Sequence, residues 1–91
     1  MNIYQKIFRK IISESYNNPE TTQLIEALIE SGILDDTLLK VFIIRRFVFN
    51  KVEMGVTKLN AMWKATEEFC CSYEYVRKCV YYYKDVEHNL L

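Results

Sequence analysis

The side chains best suited to chemistry in this 91-residue sequence lie near its end, at Tyr73, Glu74, Arg77 and Lys78. Arginine and lysine donate charge-assisted hydrogen bonds to anions and carbonyl oxygens, and a glutamate carboxylate accepts them. Tyr73 and Arg77 are four residues apart, as are Glu74 and Lys78, so each pair lies on one face if the segment is helical. Such a face can bind phosphates and exchange hydrogen bonds with a polar partner.

Two short helices are predicted to position this face. Ser72 can cap the second helix, because its hydroxyl can accept a hydrogen bond from a backbone N–H of the first turn. Apolar residues recur at Val76, Cys79 and Val80, with the spacing of an inward helical face. The segment 65–80 therefore predicts two helices joined by a tight turn, which is typical of a helix-turn-helix.

The same segment resembles the bacterial and phage helix-turn-helix pattern Leu-Ala-x-x-Phe-Gly-Val-Ser-x-x-x-Val-x-x-Ile-Leu. Two positions depart from that pattern, namely Thr66 in place of a small residue and Cys70 in place of the turn glycine. A positive φ at Cys70 costs roughly 1 kcal/mol, because its Cβ crowds the backbone. The apolar and cap positions are filled in order by Ala65, Phe69, Cys71, Ser72, Val76, Cys79 and Val80.

The region of resemblance covers about residues 45–84 and includes the entry to the first motif helix at residues 55–57. Its organisation is similar to Mor-type phage activators and, more loosely, to Trp-repressor-like and sigma-region-4-like DNA-binding domains. Residues 1–40 resemble no family.

The resemblance implies that the second motif helix lies in the major groove of duplex DNA. There Arg77 can grip guanine through two acceptors, and Glu74 can accept from the cytosine amino group. Phosphate contacts are expected from basic and hydroxyl side chains and from the N–H groups that open the preceding helix. The predicted DNA-binding residues are Thr57, Lys58, Lys64, Ser72, Tyr73, Glu74, Tyr75, Arg77, Lys78 and Lys84.

The whole chain is predicted to be all-α, a small bundle of about five helices with a C-terminal helix-turn-helix. Apolar periodicity of the helical kind runs along the sequence, and only 2 Gly and 1 Pro interrupt it. The expected caps are Asn18, Asp35 or Asp36, and Thr57, and glycines end the second and third helices. The predicted helices cover about residues 2–16, 19–31, 36–54, 58–69 and 72–85.

Three expectations concern the apolar faces. The third helix is apolar nearly all round, so it is either the central core helix or partly covered by a partner chain. Among residues 81–83, which are three consecutive tyrosines, at least one is expected in the core and at least one exposed. The fourth helix is expected to bury Leu59, Met62, Trp63, Thr66 and Phe69.

Length predicts a single domain over residues 1–91. Residues 1–54 are expected to form the N-terminal helices and the dimer contact, and residues 55–86 the helix-turn-helix. Net charge is zero, but residues 40–84 hold nine basic and four acidic side chains. A phosphate backbone responds to that local excess. The first helix, with its isoleucine stripe, and the third helix are the expected subunit contact of a homodimer.

Several classes of protein are disfavoured. No apolar run predicts a membrane span or a secretory signal, so a cytoplasmic protein is expected. Cys70, Cys71 and Cys79 are expected as buried thiols, and with the lone His88 they lack metal-site spacing. No residue pattern suggests an enzyme, a cofactor or a small-molecule substrate.

The sequence thus favours a small DNA-binding protein, either a transcriptional regulator or a component of a phage or mobile element. The alternative is a helical protein–protein interaction module without nucleic acid, and an RNA binder is a third possibility. The outward face of the last helix separates the first two, because a DNA reader needs it uncovered and its basic groups unpaired.

Overall fold

The computed structural model describes residues 2–15, 19–32 and 35–86, and within these ranges the secondary structure is helical without strands. The predicted all-α class with five helices is therefore confirmed. The chain divides into two compact units, Met1–Lys40 and Val41–Leu91, while the predicted single domain stays a prediction. The elements are α1 (Ile3–Ser15), α2 (Pro19–Ser31), α3 (Asp36–Glu53), α4 (Lys58–Phe69), α5 (Tyr73–Arg77) and a π-helical turn (Lys78–Tyr82) that continues α5.

Polar side chains define the helix ends of the first unit. Asn2 Oδ1 accepts from the Gln5 backbone N–H at 2.8 Å, and Gln5 Oε1 accepts from the Asn2 N–H at 3.2 Å, which forms a capping box. Gly32 ends α2 with a φ of +75°. Of the two predicted caps for α3, Asp35 is the one that acts, because its Oδ1 accepts from the Leu38 N–H at 3.0 Å. Asn18 lies outside the described residues.

The apolar faces of α1 and α2 are only partly buried. Tyr4, Ile12 and Ile29 are buried, and Arg9 pairs with Glu26 across the two helices at 3.4 Å. Other residues of the predicted stripes lie further out, and exposed examples are Ile3 and Leu24.

In the second unit, α3 supplies much of the core. Val41, Ile43, Ile44 and Val48 are almost fully buried, as is the charged residue Arg45. Of the two interpretations of this apolar helix, the central core helix accounts for these side chains. Burial on several sides explains why its apolar residues follow no single stripe.

The predicted inward face of α4 is partly wrong. Met62 and Phe69 are buried as expected, whereas Leu59 and Trp63 are 57% and 50% exposed. The other two buried positions of α4 are alanines, Ala61 and Ala65, and each is fully buried. Small side chains let neighbouring backbone approach closely, so the helix turns its alanines inward and leaves its bulkiest residue outside.

A three-residue turn at residues 70–72 connects α4 to α5. Cys70 has φ 51° and ψ 45°, the left-handed conformation for which glycine is the usual residue, and its N–H donates to the Thr66 carbonyl. The Cys71 N–H donates to that carbonyl as well, at 3.3 Å. The turn therefore has the backbone of a glycine-ended helix without the glycine.

Replacing Cys70 with glycine is expected to stabilise the protein. The substitution removes a Cβ from a left-handed backbone, which relieves about 1 kcal/mol of strain. For a chain of this size that corresponds to a melting temperature higher by about 4–8 °C. Thermal unfolding followed by circular dichroism measures the melting temperature. Cys71→Gly is the control and should destabilise the protein. A lower melting temperature for Cys70→Gly would contradict the strain at this turn.

The last helical segment, residues 73–82, is shorter than predicted. It ends at Tyr82 rather than near Asp85. Its last hydrogen bond is of the π type and runs from the Tyr83 N–H to the Lys78 carbonyl at 3.2 Å. Its inward face is the predicted one, because Val76, Cys79 and Val80 are all buried.

The three consecutive tyrosines do not reach the core. Tyr81 and Tyr82 are exposed, and Tyr83 is half-buried with its ring edge-on to Tyr82 at 5.2 Å. The expectation that one of them is a core residue is therefore wrong.

Candidate nucleic-acid interface

The outward face of residues 73–82 forms an open groove of about 450 Å³. It gathers four of the predicted DNA-binding residues and adds two tyrosines that were not among them. A groove on this face has both hydrogen-bonding groups and flat aromatic surface. Its lining residues are Glu74, Tyr75, Arg77, Lys78, Tyr81 and Tyr82.

The two cations of this groove are exposed and rest on aromatic rings of the same segment. The Arg77 guanidinium lies 5.9 Å from the centroid of the Tyr81 ring, and the Lys78 ammonium lies 5.5 Å from that of Tyr82. Each contact spans four residues. Among the described residues neither cation forms an ion pair, including with Glu74. Both charges therefore remain available to an anionic partner.

A second depression, of about 500 Å³, lies beside the start of α4. Trp63 borders it, and the Tyr73 ring stacks on Trp63 with centroids 4.5 Å apart and planes at 23°. Tyr73, predicted as a free base reader, is thus half-buried against an aromatic neighbour. Two predicted phosphate-binding residues, Thr57 and Lys64, line this depression together with Gly55, Val56, Asn60, Trp63 and Glu67.

Two of the predicted site hydroxyls act as helix caps. Thr57 Oγ1 accepts from the Asn60 N–H at 3.2 Å, and Ser72 Oγ accepts from the Tyr75 N–H at 3.1 Å. Both caps follow from local sequence. These bonds fix where α4 and α5 begin, and hence which side chains face outward.

The remaining two predicted residues are lysines outside the groove lining. The Lys58 ammonium lies over the Tyr81 ring at 4.5 Å and over Phe49 at 5.5 Å, which brings it to the edge of the groove. Lys84 is exposed beyond the helical segment. The ten predicted residues therefore lie in the second unit, around two depressions and not in one.

Arg45 is the residue that sequence reasoning missed. It was counted among the basic residues, yet it is 4% exposed and its guanidinium donates to four backbone carbonyls. The Cys79 and Val80 carbonyls accept from Nη1 at 2.9 and 2.8 Å, and those of Lys84 and Val86 accept from Nη2 and Nε. Its position within an apolar helix was the available signal, because such a charge needs buried partners.

Arg45 thus stabilises the end of the segment that carries the groove. The last carbonyls of a helix have no partner within the helix and carry partial negative charge. A guanidinium supplies several donors in a fixed plane together with a positive charge. This arrangement links α3 to the π-helical turn and the residues just after it.

The cysteines differ from the expected buried set. Only Cys79 is buried, whereas Cys71 is half-buried and Cys70 is exposed at the turn. Burial raises the pKa of the Cys79 thiol to about 11 from 9.0. The folded protein therefore favours the neutral thiol at this position.

Stability is expected to fall between about pH 9 and pH 11 because of Cys79. Its pKa is higher in the folded protein, so the unfolded chain loses the thiol proton first and alkali favours unfolding. The contribution is fully present below pH 9. The free energy of unfolding, measured with urea across this pH range, should decline less steeply for Cys79→Ala than for the wild type. Equal declines would contradict a raised pKa of Cys79. The paired comparison cancels lysine and tyrosine titration.

Two other kinds of site are not found in the part of the chain that the structure describes. None of its helices is long and apolar enough to cross a membrane. Within residues 2–15, 19–32 and 35–86, no three histidine, cysteine or acidic side chains converge as metal ligands. His88 lies outside these ranges.

Comparison with known proteins adds no relative. No protein-family model, no curated protein and no solved structure matches this chain. The resemblance of residues 45–84 to helix-turn-helix activators stays a prediction, and the functional interpretation depends on the geometry of the two depressions.

Proposed function

We propose that this protein binds duplex DNA, with residues 73–82 in the major groove as the second helix of a helix-turn-helix. One observation carries the proposal. Glu74, Arg77 and Lys78 are exposed on one face, and neither cation is neutralised by a carboxylate of the described residues. On this face Lys78 and Glu74 can contact guanine and cytosine edges, and Arg77 can contact a neighbouring phosphate.

Phosphate contacts would set the affinity and its salt dependence. The expected phosphate contacts are four exposed cations of the second unit, namely Lys58, Lys64, Arg77 and Lys84. Arg45 is not among them, because its guanidinium donates to backbone carbonyls. Neutralising four phosphates gives a slope of about −3 to −4 in a plot of log K against log salt concentration. The expected binding is moderate in strength and steeply salt-dependent.

A titration of fluorescent random-sequence duplex DNA tests the proposal. Fluorescence anisotropy is measured at several salt concentrations between 50 and 200 mM, and affinity should fall roughly 100-fold over that range. An RNA duplex of the same sequence serves as the comparison and should bind more weakly. No binding at 50 mM salt, or affinity independent of salt, would refute DNA binding.

We further propose that two copies act together on palindromic half-sites, as expected of a small transcriptional regulator or a phage or mobile-element component. A single module of this size buries too little surface for tight specific binding. The first unit exposes Ile3, Leu24 and Leu38, apolar side chains that a second copy could cover. Sedimentation equilibrium at high micromolar concentration should show a dimer, and a clean monomer would refute this part.

A protein–protein interaction module is the second candidate. Leu59 and Trp63 lie one helical turn apart on α4, and at least half of each residue is exposed. Large exposed apolar side chains often mark protein contacts. This candidate predicts no salt-dependent DNA binding in the anisotropy titration. It is therefore excluded by the result that the first candidate requires.

A further inference from the structure

Two cations from different helices converge on one exposed ring. The Lys58 ammonium, at the start of α4, lies 4.5 Å from the centroid of Tyr81, and the Arg77 guanidinium lies 5.9 Å from the same centroid. Lys58 also lies 5.5 Å from the Phe49 ring on α3. The ring of Tyr81 is thus shared by two positive groups that are nineteen positions apart in the sequence.

Two like charges held near one point repel each other, and they need a compensating negative group. The π face of an aromatic ring supplies part of that compensation. Among the described residues no carboxylate forms an ion pair with Lys58 or Arg77. An anion from outside the chain would compensate both charges.

We infer that Tyr81 is a positioning residue that joins Lys58 and Arg77 into a single anion-binding site, and that its ligand is a backbone phosphodiester. The identification of the ligand rests on the proposed DNA binding. Tyr81 holds the two cations before the nucleic acid arrives, so less side-chain entropy is lost on binding. The phenol hydroxyl has no part in this role, because the ring face makes both contacts.

Substitutions at Tyr81 separate the ring from the hydroxyl. Tyr81→Leu keeps an apolar side chain but removes the π face, and it should weaken binding to the fluorescent duplex about 3- to 10-fold. Tyr81→Phe keeps the ring and should bind within about twofold of the wild type. In a Lys58→Ala background the loss caused by Tyr81→Leu should shrink to about twofold or less, because one of the two contacts is already absent.

A measurement without DNA tests the positioning itself. In the wild type and in Tyr81→Phe, the Lys58 ε-methylene protons should show an upfield ring-current shift in the NMR spectrum. In Tyr81→Leu the shift should decrease to the smaller part that the Phe49 ring contributes. Unchanged thermal unfolding in Tyr81→Leu would show that the effect is not a loss of folding. Absence of the ring-current shift in the wild type overturns the inference.

The remaining outcomes also decide it. Equal losses for Tyr81→Phe and Tyr81→Leu, or no loss for Tyr81→Leu, overturn the inference while leaving DNA binding intact. If the wild type does not bind DNA, the proposed function fails, and titration with inorganic pyrophosphate then tests the anion site alone. Shifts of the Lys58 and Arg77 side-chain resonances that disappear in Tyr81→Leu support the site, and no shifts overturn it.

Discussion

Replacing Arg45 with methionine is expected to lower the free energy of unfolding by about 3–5 kcal/mol. The substitution keeps an unbranched side chain of similar length but removes every donor to the four carbonyls that Arg45 satisfies. Buried carbonyls left without a donor cost about 1–3 kcal/mol each before relaxation. Small domains have only about 5–15 kcal/mol of stability, so the variant should be marginally folded. Urea unfolding followed by circular dichroism measures the change.

Two further variants control this experiment. Arg45→Lys keeps the charge but offers one compact ammonium in place of the planar fork, so its loss should be smaller than that of Arg45→Met. Arg46→Met changes the neighbouring, half-buried arginine and should cost less than Arg45→Met. A loss below 1 kcal/mol for Arg45→Met would show that the carbonyls find water instead, and the stabilising role would be wrong.

Changing Arg77 and Lys78 together to alanine is expected to weaken duplex binding by at least about 30-fold. Both side chains are exposed on the groove face, and each is assigned a contact to DNA. The fold should be unaffected, because the change removes only two exposed cation–π contacts with tyrosines. Anisotropy titration at 100 mM salt measures the affinity, and circular dichroism checks the fold.

The matched control removes the same charge from a different place. Lys6→Ala with Lys10→Ala takes two exposed lysines from α1 in the other unit, and affinity should stay within about threefold of the wild type. If the control loses as much affinity as the groove variant, binding reflects net charge and not the assigned face. If the groove variant binds normally, the assigned reading segment is wrong.

Local features of this structure could be predicted from the sequence. Thr57 and Ser72 were identified as caps, and Asp35 as one of two candidates, because capping depends on a few neighbouring residues. The inward positions Val76 and Cys79 followed from periodicity within one short segment. The all-α class followed from the same periodicity summed over the chain.

Features that depend on contacts between helices could not be predicted. The apolar helix around Arg45 signals that this charge needs partners, but the sequence does not show that the carbonyls of residues 79–86 supply them. Hydrophobicity placed Trp63 in the core, whereas close packing buries the alanines of α4 instead. The convergence of Lys58 and Arg77 on Tyr81 joins positions distant in sequence, and no periodic pattern records it.

The most direct test of DNA binding by this face is an NMR titration of the ¹⁵N-labelled protein with a short duplex. Amide chemical-shift changes should concentrate at residues 57–64 and 72–84, where the two depressions lie. The amide chemical shifts of residues 2–15 and 19–32 should change little when the duplex saturates the protein. Changes confined to those first-unit residues, or no changes anywhere, would contradict the assignment of residues 73–82 as the DNA-reading segment.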